Sequence, residues 1–426
     1  MRKKFWPITA LLVVLVSSLV GSDKISVVTG CAAVADLTCA SSTTLESLAT
    51  CIRTQMPKEG SNGFVRPNAT EQADWRAVVN RMLRGSCDFS LPASLRGIMQ
   101  IRTFSDSGNG RNYCVLMEVL DANSDGIVDR GWGTFIVYKD ATRELSHQAP
   151  HPITDSTTEI QAITIFKETD SRSYLMAGAP RDANSAISTC QKSSKETDAA
   201  HNTANMFHAT NQELINRYGK ATWNAIQWHG MAADTCPNTE VFPSHGVDVT
   251  PVATDKISIL RNKLLAQHPT WKVDLPGAGA CSLSATDNTQ GRLINGVAAG
   301  SVCGTAAPGY NGRFIHIEQD PDFRNPGDWI NPVKDTWLAA PTNLTAKAGR
   351  RLIILNWNPS SGAQSYTVKR STTNGGPYKT VASHVIKPAY INTGLSPGTT
   401  YYYVVTATNA AGESSNSNQA SAKARF

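Results

Sequence analysis

The chain has 426 residues, with 40 Lys and Arg against 34 Asp and Glu, and nine cysteines. That length implies two or three domains, and the composition excludes a collagen, a coiled coil and a disordered chain. Charge is uneven: residues 338–426 carry nine basic side chains and one acid, Glu413, for +8, and residues 31–337 carry about −5. A basic tail on an acidic body predicts adhesion to an anionic polymer. No nucleic-acid partner is expected.

Arg2, Lys3 and Lys4 precede an apolar run from Phe5 to Val20, the pattern of a signal peptide over residues 1–22. Cys31 follows Val28-Thr29-Gly30, which resembles a bacterial lipobox and raises lipid anchoring as an alternative to plain secretion. No later stretch is apolar enough to span a bilayer. The cysteines at 31, 39, 51, 87, 114, 190, 236, 281 and 303 show no CxxC spacing. In an exported chain they read as disulfides, and setting Cys31 aside leaves eight for four bridges, with Cys281–Cys303 as one candidate local pair.

Residues 32–95 read as a helical, disulfide-linked segment, with Trp75, Val78, Val79 and Leu83 on one helical face that stops at Gly85. From 96 to 335 the pattern changes. Strands are predicted at 113–120, 134–138, 173–177, 225–228 and 313–317, and helices at 159–168, 204–218 and 256–266. Their alternation predicts an α/β domain with a mostly parallel sheet, flanking helices and ligands at the strands' carboxyl ends. The Pro- and Asp-rich residues 319–334 then lead into the final module.

Residues 338–426 read as an all-β sandwich. Ile353-Ile354-Leu355-Asn356-Trp357 alternates around a tryptophan, Tyr366 opens another strand, and Leu395-Ser396-Pro397-Gly398-Thr399-Thr400-Tyr401 leads into Tyr403, Val405 and Ala407 at period two. These residues resemble the fibronectin type III family, which implies a sandwich without catalytic residues, with Trp357 and Tyr401 in its core.

Two patterns suggest metals. Asp121, Asn123, Asp125 and Asp129, with Gly126 at position 6, place oxygens as the first nine residues of a calcium loop do, although Trp132 stands where an EF-hand has glutamate. The second pattern lies at successive strand ends: His151 with Asp155 and Glu159, His201-Asn202, His229-Gly230, and Glu318. Two histidines and a carboxylate hold a catalytic zinc while leaving a position for water, and a nearby glutamate can take that water's proton. Arg181 or Arg292 could grip a substrate carboxylate.

In that order the residues resemble the carboxypeptidase-like zinc amidohydrolases, such as poly-γ-glutamate hydrolases and N-formylglutamate amidohydrolases. The resemblance implies His151, Asp155 and His229 as zinc ligands, with Glu159 a rival for the carboxylate, and Glu318 as general base. It places His201 and Asn202 against substrate. The expected activity is hydrolysis of an amide bond in a peptide, a poly-γ-glutamate-like polymer or peptidoglycan. The alternative is a non-catalytic adhesion or matrix-binding protein with structural calcium. No Gly-x-Ser-x-Gly, Walker A or His-Glu-x-x-His motif is present.

Overall fold

The computed structural model describes residues 37–219, 223–279 and 281–426. The expected signal segment and Cys31 lie outside the described residues. In chain order the first body contains α1 (Leu45–Thr54), α2 (Ala69–Leu83), β1 (Met99–Ser105), β2 (Asn112–Glu118), β3 (Thr134–Val137), β4 (Arg143–Ala149) and α3 (Thr158–Glu168). It continues through β5 (Ser171–Met176), α4 (Met206–Tyr218), β6 (Asn224–Trp228), β7 (Val241–Ser244), α5 (Lys256–Gln267), α6 (Thr289–Ile294), β8 (Phe314–Gln319) and α7 (Pro326–Thr336).

The eight strands form one sheet in the order β1-β2-β3-β5-β4-β6-β8-β7. It is mixed rather than mostly parallel. Pairing is parallel only from β5 through β4 and β6 to β8. Both flanks are antiparallel.

Helices cover both faces, because neighbouring side chains on a strand point to opposite sides. Ile226, Trp228, Ile315 and Ile317 pack into one core with Leu48 and Ile52 of α1, Ile163 and Phe166 of α3, Leu260 of α5 and Trp329 of α7. Ala225, Phe314, Phe135 and Leu175 pack into the other core, with Trp75 of α2, Phe207 of α4 and Ile294 of α6. The segment expected as a separate helical unit thus supplies one helix to each face.

Within the Pro- and Asp-rich stretch 319–334, where no helix is expected from the sequence, the chain forms α7. Asn325 caps it by accepting from the Gly327 amide, and Pro326 sits in its first turn, where no amide proton is needed. Trp329 and Val333 are fully buried.

Four disulfides join Cys39–Cys51, Cys87–Cys114, Cys190–Cys303 and Cys236–Cys281. The candidate pair Cys281–Cys303 is therefore incorrect, since each of these cysteines reaches back to a loop following a central strand.

The remaining strands are β9 (Thr342–Gly349), β10 (Leu352–Asn358), β11 (Ser365–Ser371), β12 (Lys379–Val385), β13 (Ala389–Asn392), β14 (Thr400–Asn409), β15 (Gly412–Glu413) and β16 (Ala420–Lys423). β13-β10-β9 form one sheet, and β12-β11-β14 with β15 and β16 form the other. Ile353, Leu355, Trp357, Tyr366, Tyr401, Tyr403 and Val405 fill the space between them. The Trp357 and Tyr366 rings meet edge to face at 5.4 Å. The Tyr401 hydroxyl accepts the Ser396 amide at 3.2 Å, closing a tyrosine corner.

Candidate metal centre

The four parallel strands deliver the chemically active residues to one end of the sheet. β4 ends at Ala149, and the chain then turns sharply, with Ile153 and Thr157 both at φ 71°. Non-glycine residues take that conformation at a cost, so the turn must be held by its surroundings. Its effect is to bring Asp155 back onto His151, with the Asp155 amide donating to the His151 carbonyl at 3.0 Å. His229 follows Trp228 at the end of β6, the neighbour of β4.

His151 Nδ1 lies 3.2 Å from Asp155 Oδ2, and His229 Nδ1 lies 3.4 Å from the same oxygen. One ligand atom from each of the three residues falls within 4.8 Å of the others. All three are buried. Asp155 Oδ1 is buried without a hydrogen-bond partner, and Arg181 Nη2 stands 3.9 Å from it. Gly230 donates its amide to Asp155 Oδ2 at 3.2 Å. A side chain at Gly230 would strike the Arg324 guanidinium, which binds the Ser156, Met231 and Gln319 carbonyls and ties the turn after β4 to β8.

A second layer surrounds this trio. His151 Nε2 donates to Asp198 Oδ1 at 3.0 Å, so both of its ring nitrogens face carboxylates. Asp198 also lies 2.9 Å from His201 Nδ1, and His201 Nε2 lies 3.4 Å from Asp287. On β8, His316 Nε2 lies 3.4 Å from Glu318 Oε1. The His316 ring sits 4.4 Å from that of His229, and its Nδ1 is buried without a partner.

These contacts set the charges. Burial opposes protonation of His151, but Asp198 and Asp155 outweigh it and push its pKa up to about 10. Burial likewise opposes the charge on His201, and the Asp198 and Asp287 carboxylates, which accept from its ring, raise it to about 9. Burial raises Asp155 and Asp198, yet the histidines beside them hold both carboxyls well below the usual range. Burial, with His316 close by, lowers His229 to about 4 and keeps it neutral.

The donor set suits zinc. Ligands about 2.0–2.1 Å from a tetrahedral centre stand roughly 3.3 Å apart, close to the 3.2 and 3.4 Å separations of these atoms. An Asp198 carboxylate on the far nitrogen of His151 matches the usual second-layer partner of a metal-bound imidazole.

The other expected residues fall differently. Glu159 is buried on α3 and pairs with Arg53 at 2.9 Å, outside the trio. The Arg292 guanidinium is spent on the Thr286, Val302 and Cys303 carbonyls, so it braces a loop rather than offering a free grip. Asn202 is equally committed, donating to the Glu196 carbonyl and accepting from the Ala204 amide. Arg181 keeps 45 % of its side-chain surface exposed.

In the calcium-like loop between β2 and β3, Asp121, Asn123, Asp125 and Asp129 turn their oxygens onto backbone amides of the loop itself. The sequence reading includes Asp198 and His316 in the stretches around His201 and Glu318 but assigns neither a role. Asp198 stands in a long loop with no periodic pattern, whereas His316 was legible in principle, two residues before Glu318 on one strand face. A cavity of about 580 Å³ lies elsewhere, beside Tyr113, Tyr138 and the Cys87–Cys114 bridge, and gathers no comparable cluster.

The matching family model and the amylopullulanase relatives fall on the second body. The fibronectin type III domain model matches residues 339–423. An amylopullulanase of Thermoanaerobacter thermohydrosulfuricus is 39% identical over 93 residues, 21% of this chain and 6% of that protein. An amylopullulanase of Thermoanaerobacterium saccharolyticum is 33% identical over 75 residues, 18% of this chain and 6% of that protein. The chain thus spans a small fraction of these relatives' length. Among solved structures, an Fn3-like protein from Clostridium thermocellum is 42% identical, covering 21% of this chain and 95% of that one, with a TM-score of 0.20. With its two sheets, tyrosine corner and buried Trp357, the segment 339–423 is a fibronectin type III domain.

Proposed function

We propose that the first body is a zinc-dependent hydrolase of amide bonds, exported and carried on a fibronectin type III module. One observation carries the reading: His151, Asp155 and His229 converge, buried, at the carboxyl ends of adjacent parallel strands. The order of these residues, with His229-Gly230 and a late Glu318, supports the likeness to carboxypeptidase-like amidohydrolases. Four disulfides favour an oxidising, extracellular setting. Calcium in the 121–129 loop would be a separate, structural proposal.

Bound zinc would supply a Lewis acid and lower the pKa of a water toward neutrality. The chain's own residues do the rest. Asp198 holds the His151 ring so that Nδ1 faces the trio. Glu318, oriented by His316 Nε2, accepts the proton of the attacking water and passes it to the leaving nitrogen. Arg181, the exposed cation beside Asp155, meets a substrate carboxylate or the developing oxyanion.

The test is a screen of peptides and γ-glutamyl polymers with the zinc-loaded chain, read as new amine groups. Glu318→Gln should keep its zinc and lose about 10²–10⁴-fold in rate. Release at an unchanged rate in Glu318→Gln would reject the assigned base.

A further inference from the structure

The fibronectin module breaks a local rule at one end. Gly349 pairs with Leu352, so Arg350 and Arg351 form the tip of a two-residue hairpin between β9 and β10. Such tips favour Asn-Gly, because L side chains avoid the left-handed conformation. Arg351 nevertheless takes φ +53°.

A third arginine is held against the same tip. Arg350 and Arg425 form a β-bridge, the Arg351 amide donates to the Arg425 carbonyl at 2.9 Å, and the Arg425 amide donates to Gly349 at 3.0 Å. Lys347 lies three residues before Arg350 and Lys423 two residues before Arg425. All five are exposed. Among the described residues the three arginine side chains make no ion pair and no hydrogen bond. Glu413, the sole acid of residues 338–426, is engaged by Lys369 at 3.0 Å. Three like charges are thus crowded onto a turn whose second residue takes a conformation that L side chains disfavour, a local conflict of the kind expected at functional or strained places.

The geometry points to this hairpin end as a binding surface for a linear polyanion, a polymer with closely repeating carboxylate or phosphate groups. A lone small anion would need donors converging into a pocket. Here three exposed arginines gather at the hairpin end with Lys347 on β9 and Lys423 on β16 behind them, an array that meets successive charges of a chain, and each guanidinium fork can engage a carboxylate or phosphate in two bonds. The surface lies within the fibronectin domain, so it stands whether or not the first body holds zinc.

The test is binding of the full chain to immobilised poly-L-glutamate and, separately, to inorganic polyphosphate across a salt series. The wild type should bind at least one of them, with the affinity falling as salt rises. Which polymer it prefers identifies the anion. Arg350→Gln/Arg351→Gln/Arg425→Gln should lose at least about ten-fold in affinity, and its salt slope should drop by roughly two to three. Among charge-matched pairs, Arg350→Gln/Arg351→Gln should weaken binding several-fold more than Lys379→Gln/Lys387→Gln. Failure of the wild type to bind either polymer, or equal losses in the two pairs, would overturn the assignment and leave net charge as the only effect.

Discussion

His147 and His151 are four residues apart and experience opposite fields. His147 lies inside the sheet, where Ser171 and the Trp228 indole hold its two nitrogens and burial lowers its pKa to about 3. A histidine whose folded pKa is depressed loses stability as pH falls below its unfolded value of about 6.5. Between pH 6.5 and 5 the loss is about 2 kcal/mol, and a His147→Gln variant should not show it. Urea unfolding at the two pH values, in both proteins, reads the difference; identical pH slopes would refute it. Asp198 makes the complementary case. Asp198→Ala removes the partner of His151 Nε2 and should cut zinc affinity about 10–100-fold with the fold intact, as measured by competition with a chelator. His229 is legible in the sequence because it follows the predicted strand β6 directly, whereas β4, which leads to His151, carries Arg143, Glu144, Ser146, His147 and Gln148 and no apolar run announces it. Asp198 is not legible, because only the folded path of a long loop brings it within 3.0 Å of His151.

Strands and helices show where pattern reading works and where it stops. α2, α4 and α5 announce themselves through helical spacing or capping, and β2, β3 and β6 through branched and aromatic runs. α7 hides behind two prolines, because its stability comes from burying Trp329 and Val333 rather than from propensity. The mixed sheet is equally hidden, since alternation along a strand says nothing about the direction of its neighbour. The junction of β3 with β5 depends on two glycines. A Cβ at Gly133, where φ is +97°, would lie 2.3 Å from the Met176 carbonyl oxygen, and one at Gly178 would lie 2.1 Å from the Gly133 nitrogen. Gly133→Ala should therefore cost about 3 kcal/mol or more, visible as a lowered urea midpoint. An unchanged midpoint would mean that the two backbones are not so tightly apposed.

At the scale of the molecule, two disulfides secure the loops that surround the centre. Cys190–Cys303 spans 113 residues and ties the loop carrying Asp198 and His201 to the segment before β8. Cys236–Cys281 fastens the segment following His229. Eight paired cysteines are readable from the count, but the pairing needs the fold. Chain entropy assigns the longer bridge roughly 4–5 kcal/mol. Cys190→Ser/Cys303→Ser should lose stability of that order and retain zinc more weakly; a variant as stable as the wild type would show that packing alone holds the loop.

As proposed above, His151, Asp155 and His229 form one metal site. The direct measurement is the metal content of the purified chain after zinc loading and dialysis, for the wild type and His229→Ala. One zinc per chain in the wild type and none in the variant is the predicted result. No zinc in a folded wild type, or equal zinc in both proteins, would contradict it.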